Sequence, residues 1–73
     1  MYPEDSEQYY NRGLSLLNLN RMQEAIADFS KTLELNPDFA RAYRARGNAY
    51  NAIGDTAKGQ ADLAEWEKRK AGM

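Results

Sequence analysis

The sequence predicts an all-α protein of four helices, arranged as two tandem helix-turn-helix hairpins. Three observations support this fold class. Apolar residues recur at spacings of three and four, helix-ending residues follow each such run, and the chain is similar to itself at an offset of 34 residues. No stretch of alternating polar and apolar residues indicates a strand. At 73 residues, the chain has room for one small domain.

The first hairpin is predicted over residues 6–39. Asp5 or Ser6 can cap its first helix, because short polar side chains accept hydrogen bonds from the free N–H groups of a first turn. The apolar stripe of this helix stops at Asn20, which tolerates the left-handed backbone of a helix end. The second helix ends at Asn36-Pro37, because proline lacks an N–H and restricts the residue before it. The two predicted stripes are Tyr9, Gly13, Leu16 and Leu19, and then Met22, Ala25, Ile26, Phe29 and Leu33.

The second hairpin is predicted over residues 40–73. Asp38 is the expected N-cap of its first helix, and Gly54 is the expected left-handed residue of its turn. Asp55 is expected to cap the last helix, which ends in the cationic run 68–70 that suits the negative end of a helix dipole. The predicted stripes are Tyr43, Gly47, Tyr50 and Ile53, and then Ala57, Ala61, Leu63, Ala64 and Trp66.

Self-comparison divides the chain into two units. An offset of 34 residues aligns residues 6–39 with residues 40–73 and leaves residues 1–5 as a lead-in. Predicted helix starts and ends coincide, and Asn20 and Gly54 fill the same turn position. The identical pairs are Tyr9/Tyr43, Arg12/Arg46, Gly13/Gly47, Ala27/Ala61 and Asp28/Asp62. A period of this length with one hairpin in each repeat is typical of a solenoid.

Both units also carry a tyrosine, an arginine, a glycine and a further large residue at the same spacing in their first helix. The set reads Tyr9-x-x-Arg12-Gly13-x-x-Leu16, Ala25-x-x-x-Phe29 and Pro37 in the first unit, and Tyr43-x-x-Arg46-Gly47-x-x-Tyr50 in the second. This pattern resembles the tetratricopeptide repeat, and the resemblance implies a short right-handed solenoid of two units. The last helix departs from the family pattern, with Gly59 in place of alanine and Trp66 in place of a small residue.

Four residues inside the predicted first helices need an explanation. Gly13 and Gly47 cost about 1 kcal/mol each relative to alanine in a helix, which favours a close crossing of another helix there. Arg12 and Arg46 stand where the family commonly has leucine. We expect their aliphatic stems to lie over the core while their guanidinium groups reach solvent, with a binding role as the alternative. In the second hairpin, Gly59 is expected to thin the contact between the helices.

Composition argues against several functions. The chain has no cysteine and no histidine, which excludes disulfides, Cys/His zinc sites and catalytic groups built on either residue. No glycine-rich phosphate loop is present, so we expect no enzyme, metal or cofactor. A net charge of −1 does not favour nucleic acid, and the dispersed basic residues do not favour a membrane surface. With no secretory signal in the sequence, the cytoplasm is the expected compartment.

The resemblance implies that the first helix of each unit forms a concave wall for a protein or peptide partner. The predicted peptide-binding residues are Tyr10, Asn11, Leu14, Arg41, Arg44 and Asn48. Arg41, Arg44 and Asn48 lie on one helix face and predict an anion site, with a solvated basic face paired to acids such as Asp28 or Asp38 as the alternative. Tyr10, Leu14 and Leu17 are expected either to widen the packing stripe or to form an apolar groove.

Chaperone-adaptor members of the family hold a C-terminal carboxylate with Lys/Asn and Lys/Arg pairs spread over three units. Arg44 and Asn48 match one such pair, with arginine for lysine. Tyr10, Leu14 and Ala45 stand where other ligands of that clamp are expected, so the resemblance does not imply a complete clamp.

Self-association is the second functional hypothesis. Residues 1–38 carry seven acidic and three basic side chains, whereas residues 39–73 carry seven basic and four acidic ones. Such an asymmetry favours head-to-tail contacts between copies. Trp66 either folds over the end of the array or marks a surface for another copy. Because a solenoid usually needs about three units, the alternative function is a self-associating fragment or a designed minimal array, a homo-oligomer with itself as partner.

Overall fold

The computed structural model describes residues 5–70 of the chain and contains four α-helices in that part, with no strand. They are α1 (Ser6–Asn18), α2 (Met22–Leu35), α3 (Ala40–Ala52) and α4 (Thr56–Lys70). Helix α1 packs on α2 and α3 packs on α4, while α2 and α3 join the two hairpins. The all-α prediction of two helical hairpins is therefore confirmed. Residues 1–4 of the predicted lead-in and residues 71–73 of the predicted second unit lie outside the described residues.

The turns follow the predicted local chemistry in both hairpins. Asp5 is the N-cap of α1, and its carboxylate accepts a hydrogen bond at 2.9 Å from the N–H of Glu7. Asn20 (φ 61°) and Gly54 (φ 90°) both adopt the left-handed backbone at the end of a first helix. The Asp55 carboxylate accepts a hydrogen bond at 3.3 Å from the N–H three residues later, as a capping side chain does.

The prediction of Asp38 as the N-cap of α3 is wrong. Phe39 is the cap residue, and it makes no side-chain capping bond. The Asn36 side chain accepts from the Asp38 N–H at 3.2 Å, and the Asn36 carbonyl accepts from the Phe39 N–H at 3.1 Å. This turn around Pro37 uses an additional residue before the chain becomes helical, so Asp38 stands too early to cap α3.

The core centres on α2. Phe29 and Ala25 are fully buried and cluster with Ala45 of α3, while Leu33 clusters with Phe39 and Ala42. Four of the five residues in the predicted stripe of α2, namely Ala25, Ile26, Phe29 and Leu33, are buried, and the fifth, Met22, is half-buried. These contacts hold the two hairpins together, because Phe29 and Leu33 pack on α3 through Ala45 and Ala42.

The apolar stripes of the other helices were predicted less well. Leu19 and Ile53 are 64% and 39% exposed, because each is the C-cap residue beyond the last packed turn. In α4 the predicted alanines Ala57, Ala61 and Ala64 are exposed. The buried residues of α4 are instead Gly59 and Asp62.

Glycines mark the closest helix crossings. A Cβ at Gly13 would lie 2.5 Å from the Phe29 ring, so the glycine makes room for the central core residue. A Cβ at Gly59 would lie 1.9 Å from Asn51 Oδ1 and 2.9 Å from the Gly47 carbonyl oxygen. The expectation that Gly59 thins the second hairpin is therefore wrong. Its missing side chain lets the backbones of α3 and α4 approach each other closely.

Candidate functional site

A groove of about 230 Å³ lies between the two first helices and is called the α1–α3 groove below. Its lining residues are Tyr10, Leu14 and Leu17 from α1, and Arg41, Arg44, Ala45 and Asn48 from α3. Five of the six predicted peptide-binding residues thus lie together. The sixth, Asn11, is exposed on α1 and is not among the lining residues. The groove therefore has one apolar wall and one polar, basic wall.

The apolar wall is also part of the core. Tyr10, Leu14 and Leu17 are half-buried against the cluster around Phe29. The Tyr10 ring centroid lies 5.9 Å from that of Phe29 and 4.8 Å from that of Phe39. The same side chains therefore pack inward and line the groove, and their contact with a ligand stays a prediction. Packing against the core gives the wall a fixed shape.

Arg41 at one end of the groove already has partners. Its guanidinium lies 3.6 Å from a carboxylate oxygen of Glu7 and stacks at 5.3 Å and 5.2 Å from the ring centroids of Tyr10 and Phe39. An exposed ion pair of this kind contributes about 0–1 kcal/mol, so a ligand carboxylate can compete for Arg41 at little cost. The acid that pairs with this face is Glu7 rather than Asp28 or Asp38.

Arg44 differs from the other basic residues. All ten Lys and Arg side chains lie within residues 5–70, and nine of them have a carboxylate at ion-pair distance. Arg44 has no such carboxylate in this part of the chain. Asn48, exposed one helical turn later, lines the same groove. An unpaired guanidinium and a carboxamide are thus available on the basic wall for an anionic group.

Trp66 is the neighbour of Arg44 that the sequence did not reveal. The Arg44 guanidinium lies 5.0 Å from the Trp66 ring centroid, and the Lys70 ammonium lies 4.2 Å from it. The indole is half-buried in α4. No sequence signal links two residues so far apart on different helices. The predicted role of Trp66 in self-association stays a prediction.

Each hairpin contains a bidentate Arg–Asp pair. In the first, Arg12 Nε and Nη2 donate to Asp28 at 2.8 and 2.7 Å; in the second, Arg46 Nε and Nη2 donate to Asp62 at 2.7 and 2.8 Å. The expectation that these guanidinium groups reach solvent is wrong for Arg46, whereas Arg12 reaches solvent and also pairs with Asp28. The hydrogen bond that each arginine donates to its aspartate is the main cause that raises the pKa of that arginine above its ordinary value. The sequence did contain a signal for these pairs, since both the arginine and the aspartate recur at the 34-residue offset.

The two pairs differ in the exposure of the arginine side chain. The Arg12 side chain is 65% exposed, whereas that of Arg46 is 20% exposed. Arg46 Nη1 also donates to the hydroxyl of Ser30 in α2 at 3.1 Å. Arg46 therefore links α4 to the first hairpin, and we assign both pairs a structural role.

Other kinds of site receive no support in residues 5–70. This part of the chain contains no group of three or more acidic side chains arranged to hold a metal ion. Its helices are also too short or too polar to cross a membrane.

Two packed helical hairpins with a groove on their first helices define a helical-repeat protein. Residues 6–39 match the family model described as tetratricopeptide repeat. The chain belongs to the tetratricopeptide repeat family, whose members are modules for protein–protein interaction.

The relatives support this assignment. The chain is similar to an Hsp70-Hsp90 organizing protein of Triticum aestivum, with 39% identity over 59 residues, or 81% of this chain and 10% of the relative. It is also similar to a tetratricopeptide repeat and J domain-containing co-chaperone of Cryptococcus neoformans, with 32% identity over 69 residues, or 94% of this chain and 13% of the relative. A 58 kDa phosphoprotein of Plasmodium berghei is 38% identical over 60 residues, or 82% of this chain and 14% of the relative. The chain thus spans only a small part of the length of these relatives.

Proposed function

We propose that the α1–α3 groove binds an extended peptide or a helix of a partner protein. The observation that carries this proposal is Arg44, a guanidinium without a carboxylate partner in residues 5–70 that lies beside a preformed apolar wall. An apolar side chain of the ligand would rest on Tyr10, Leu14 and Leu17. A ligand carboxylate would then accept hydrogen bonds from Arg44 and Asn48.

The energetics favour Arg44 as the residue that selects the ligand. A hydrogen bond to a charged group contributes about 1.5–3 kcal/mol once the site is closed to water. Arg44 can contribute this energy without first losing a carboxylate within the described part of the chain. Arg41 would exchange its contact with Glu7 for the ligand, so its net contribution is smaller.

The relatives indicate a source for the partner segment. One is named for organizing Hsp70 and Hsp90, and another is named as a co-chaperone. We therefore propose that the ligand is a segment of a chaperone-associated protein. Tyr10, Leu14 and Ala45 replace basic and amide positions of the carboxylate clamp in chaperone adaptors, so contact with this groove would depend more on apolar side chains.

The test compares Arg44→Gln with the wild type in binding to a library of labelled, end-blocked hexapeptides at low salt. For peptides that carry both apolar and acidic residues, we expect Arg44→Gln to weaken binding about tenfold, the value of one lost charge-assisted contact. Arg21→Gln is the matched control, because Arg21 is an exposed arginine that pairs with Glu24 away from the groove. Unchanged binding by Arg44→Gln, or an equal loss in Arg21→Gln, would refute the proposal.

A further inference from the structure

Trp66 lies behind the basic wall of the groove rather than in it. The groove is lined by α1 and α3, whereas Trp66 belongs to α4. Its ring reaches the site only through Arg44, whose guanidinium lies 5.0 Å from the ring centroid. Any effect of Trp66 on a ligand in the groove is therefore exerted through the position of Arg44.

An exposed arginine side chain samples many rotamers, and about 2 kcal/mol of rotamer entropy opposes its fixation. Most arginines of this chain are restrained by a carboxylate, but Arg44 has none in residues 5–70. The Trp66 ring is the contact that the structure gives its guanidinium. Stacking of this kind contributes about 0.5–1 kcal/mol at an exposed site, enough to favour one orientation several-fold.

The Trp66 ring is itself restrained. The indole is half-buried, and Lys70 contacts it at 4.2 Å from the ring centroid. Lys70 in turn pairs with Glu67 at 3.2 Å, which offsets its charge. The ring thus provides a fixed surface beside which Arg44 keeps an uncompensated positive charge.

Comparison of the two units shows that the contact is specific to the second. At the 34-residue offset, Tyr10 occupies the position of Arg44 and Thr32 the position of Trp66. Thr32 is fully buried and donates a hydrogen bond at 2.9 Å to the backbone of Asp28, while Tyr10 packs on core aromatic rings. Both members of the pair therefore differ between the units, so the first unit has no counterpart of this contact.

We propose that Trp66 is a positioning residue that holds the Arg44 guanidinium at the groove and thereby sets a preference for ligands with a carboxylate over ligands with an amide. This inference rests on the proposed function of the groove. A ring that orders Arg44 before binding lowers the entropy cost of the ligand contact, and only a ligand that uses Arg44 gains from this.

The first arm of the test examines the free protein by NMR. A guanidinium over an indole ring experiences the ring current, so the Arg44 Hε resonance is expected upfield of that of Arg21, which has no aromatic ring contact in residues 5–70. Trp66→Phe should keep part of this shift and Trp66→Leu should remove it, while the Arg21 Hε resonance stays unchanged. Circular dichroism and thermal unfolding check that both variants are folded. An Arg44 shift that survives Trp66→Leu would overturn the proposal.

The second arm measures binding of two labelled, C-terminally amidated probes, Gly-Ser-Leu-Leu-Glu-Asp and Gly-Ser-Leu-Leu-Gln-Asn. The wild type should prefer the acidic probe about tenfold, and Trp66→Phe should stay within about threefold of that ratio, since a smaller ring keeps part of the stacking. Trp66→Leu should reduce this ratio toward that of Arg44→Gln. The double variant should have the same ratio as Arg44→Gln alone, because both changes remove the same contact between Arg44 and the ligand carboxylate.

The outcomes separate the two proposals. If Trp66→Leu weakens both probes equally, the residue has only a structural role and this inference is overturned while the groove remains a binding site. If Trp66→Leu prefers the acidic probe as strongly as the wild type does, this inference is likewise overturned and the groove remains a binding site. If neither probe binds the wild type, the proposed apolar and acidic ligand class is wrong for the groove, and the specificity role assigned to Trp66 fails with it.

Discussion

Arg46 illustrates how a neighbouring hairpin changes the weight of an ion pair. Both Arg–Asp pairs have the same bidentate geometry and a buried aspartate. The Arg46 side chain is 20% exposed and also donates to Ser30 of α2, whereas the Arg12 side chain is 65% exposed. Removing one member of a shielded pair leaves the other charge without a partner, and this loss exceeds the net value of the pair itself.

We predict that Arg46→Gln lowers the free energy of unfolding by about 1–3 kcal/mol, because the Asp62 carboxylate is left buried with a weaker partner. Arg12→Gln should lower it less, since water can reach Asp28 once the exposed guanidinium is gone. Urea unfolding at pH 7, followed by circular dichroism, measures both. Arg21→Gln, which alters an exposed pair, is the control with a change within about 0.5 kcal/mol. Equal losses for Arg12→Gln and Arg46→Gln would contradict this account.

The pH dependence of the same pair can also be predicted. The pKa of Arg46 is raised in the folded chain by the hydrogen bond with Asp62. For a base with a raised pKa, the stabilisation is complete below the unfolded pKa and is lost only as pH rises through the folded value. The difference in unfolding free energy between the wild type and Arg46→Gln should thus be constant from about pH 6 to 9, far below the pKa of any arginine. Urea titrations at three pH values check this, and a steady drift with pH would show that another group controls the pair.

At the scale of the helices, the α3–α4 crossing depends on absent side chains. Gly47 and Gly59 face each other, so each backbone occupies space that a side chain would otherwise fill. Asn51 lies at the same crossing, and its buried Oδ1 has no hydrogen-bond partner in residues 5–70. Gly47 and Gly59 are weak helix formers, but they stand where the close approach of the two helices leaves no room for a side chain.

We predict that Gly59→Ala destabilises the chain by about 1–3 kcal/mol, because overpacking outweighs the helix propensity gained. Adding Asn51→Ala should recover part of the loss, since it removes the nearest clashing atom but leaves the Gly47 carbonyl oxygen 2.9 Å from the new methyl group. The neighbouring exposed Gln60→Ala is the matched control and should be near neutral. The midpoints of urea unfolding measure these differences in stability. A Gly59→Ala variant more stable than the wild type would disprove the close crossing.

The turns offer a second comparison between equivalent elements. Gly54 adopts φ 90° and Asn20 adopts φ 61°, both in the region that most side chains avoid. Gly54→Ala should cost about 1–2 kcal/mol of stability because of the left-handed backbone, although no atom blocks the methyl group. Asn20→Gly should change stability by less than half of that. Thermal unfolding distinguishes them, and a neutral Gly54→Ala would mean that the turn rearranges freely.

At the scale of the whole molecule, the charge asymmetry has partners within the chain. Glu7 of α1 contacts Arg41 of α3, and Arg69 of α4 donates a hydrogen bond at 3.2 Å to the Pro37 carbonyl in the turn between the hairpins. One ion pair between α1 and α3 thus joins the acidic half of the chain to the basic half. These contacts satisfy part of the attraction that would otherwise act between copies.

We therefore predict that the chain stays monomeric in sedimentation equilibrium over a wide concentration range at both low and high salt. Trp66→Leu should leave this behaviour unchanged, because the indole already contacts Arg44 and Lys70 within the chain. A dimer that weakens with added salt would instead support the self-association hypothesis. A dimer lost in Trp66→Leu would identify its interface.

Features that depend on neighbours along the chain could be predicted from the sequence alone. Asn20, Gly54 and Pro37 end or separate helices through their own backbone preferences, and the stripe around Phe29 follows from helical period. The grouping of Tyr10 with Arg44 in one groove also followed, because the repeat offset places equivalent residues on equivalent faces. These features need no knowledge of which helices pack together.

Tertiary structure alone decided which side chains become partners. The exposure of the α4 alanines, the burial of Asp62 and the contact of Trp66 with Arg44 all depend on where one helix crosses another. Helical period assigns a residue to a face but not the atoms opposite it. The packing of α4 on α3 places the Trp66 ring centroid 5.0 Å from the Arg44 guanidinium. The energy of such a contact depends on distances of a few ångströms, and the spacing of residues along the chain does not contain those distances.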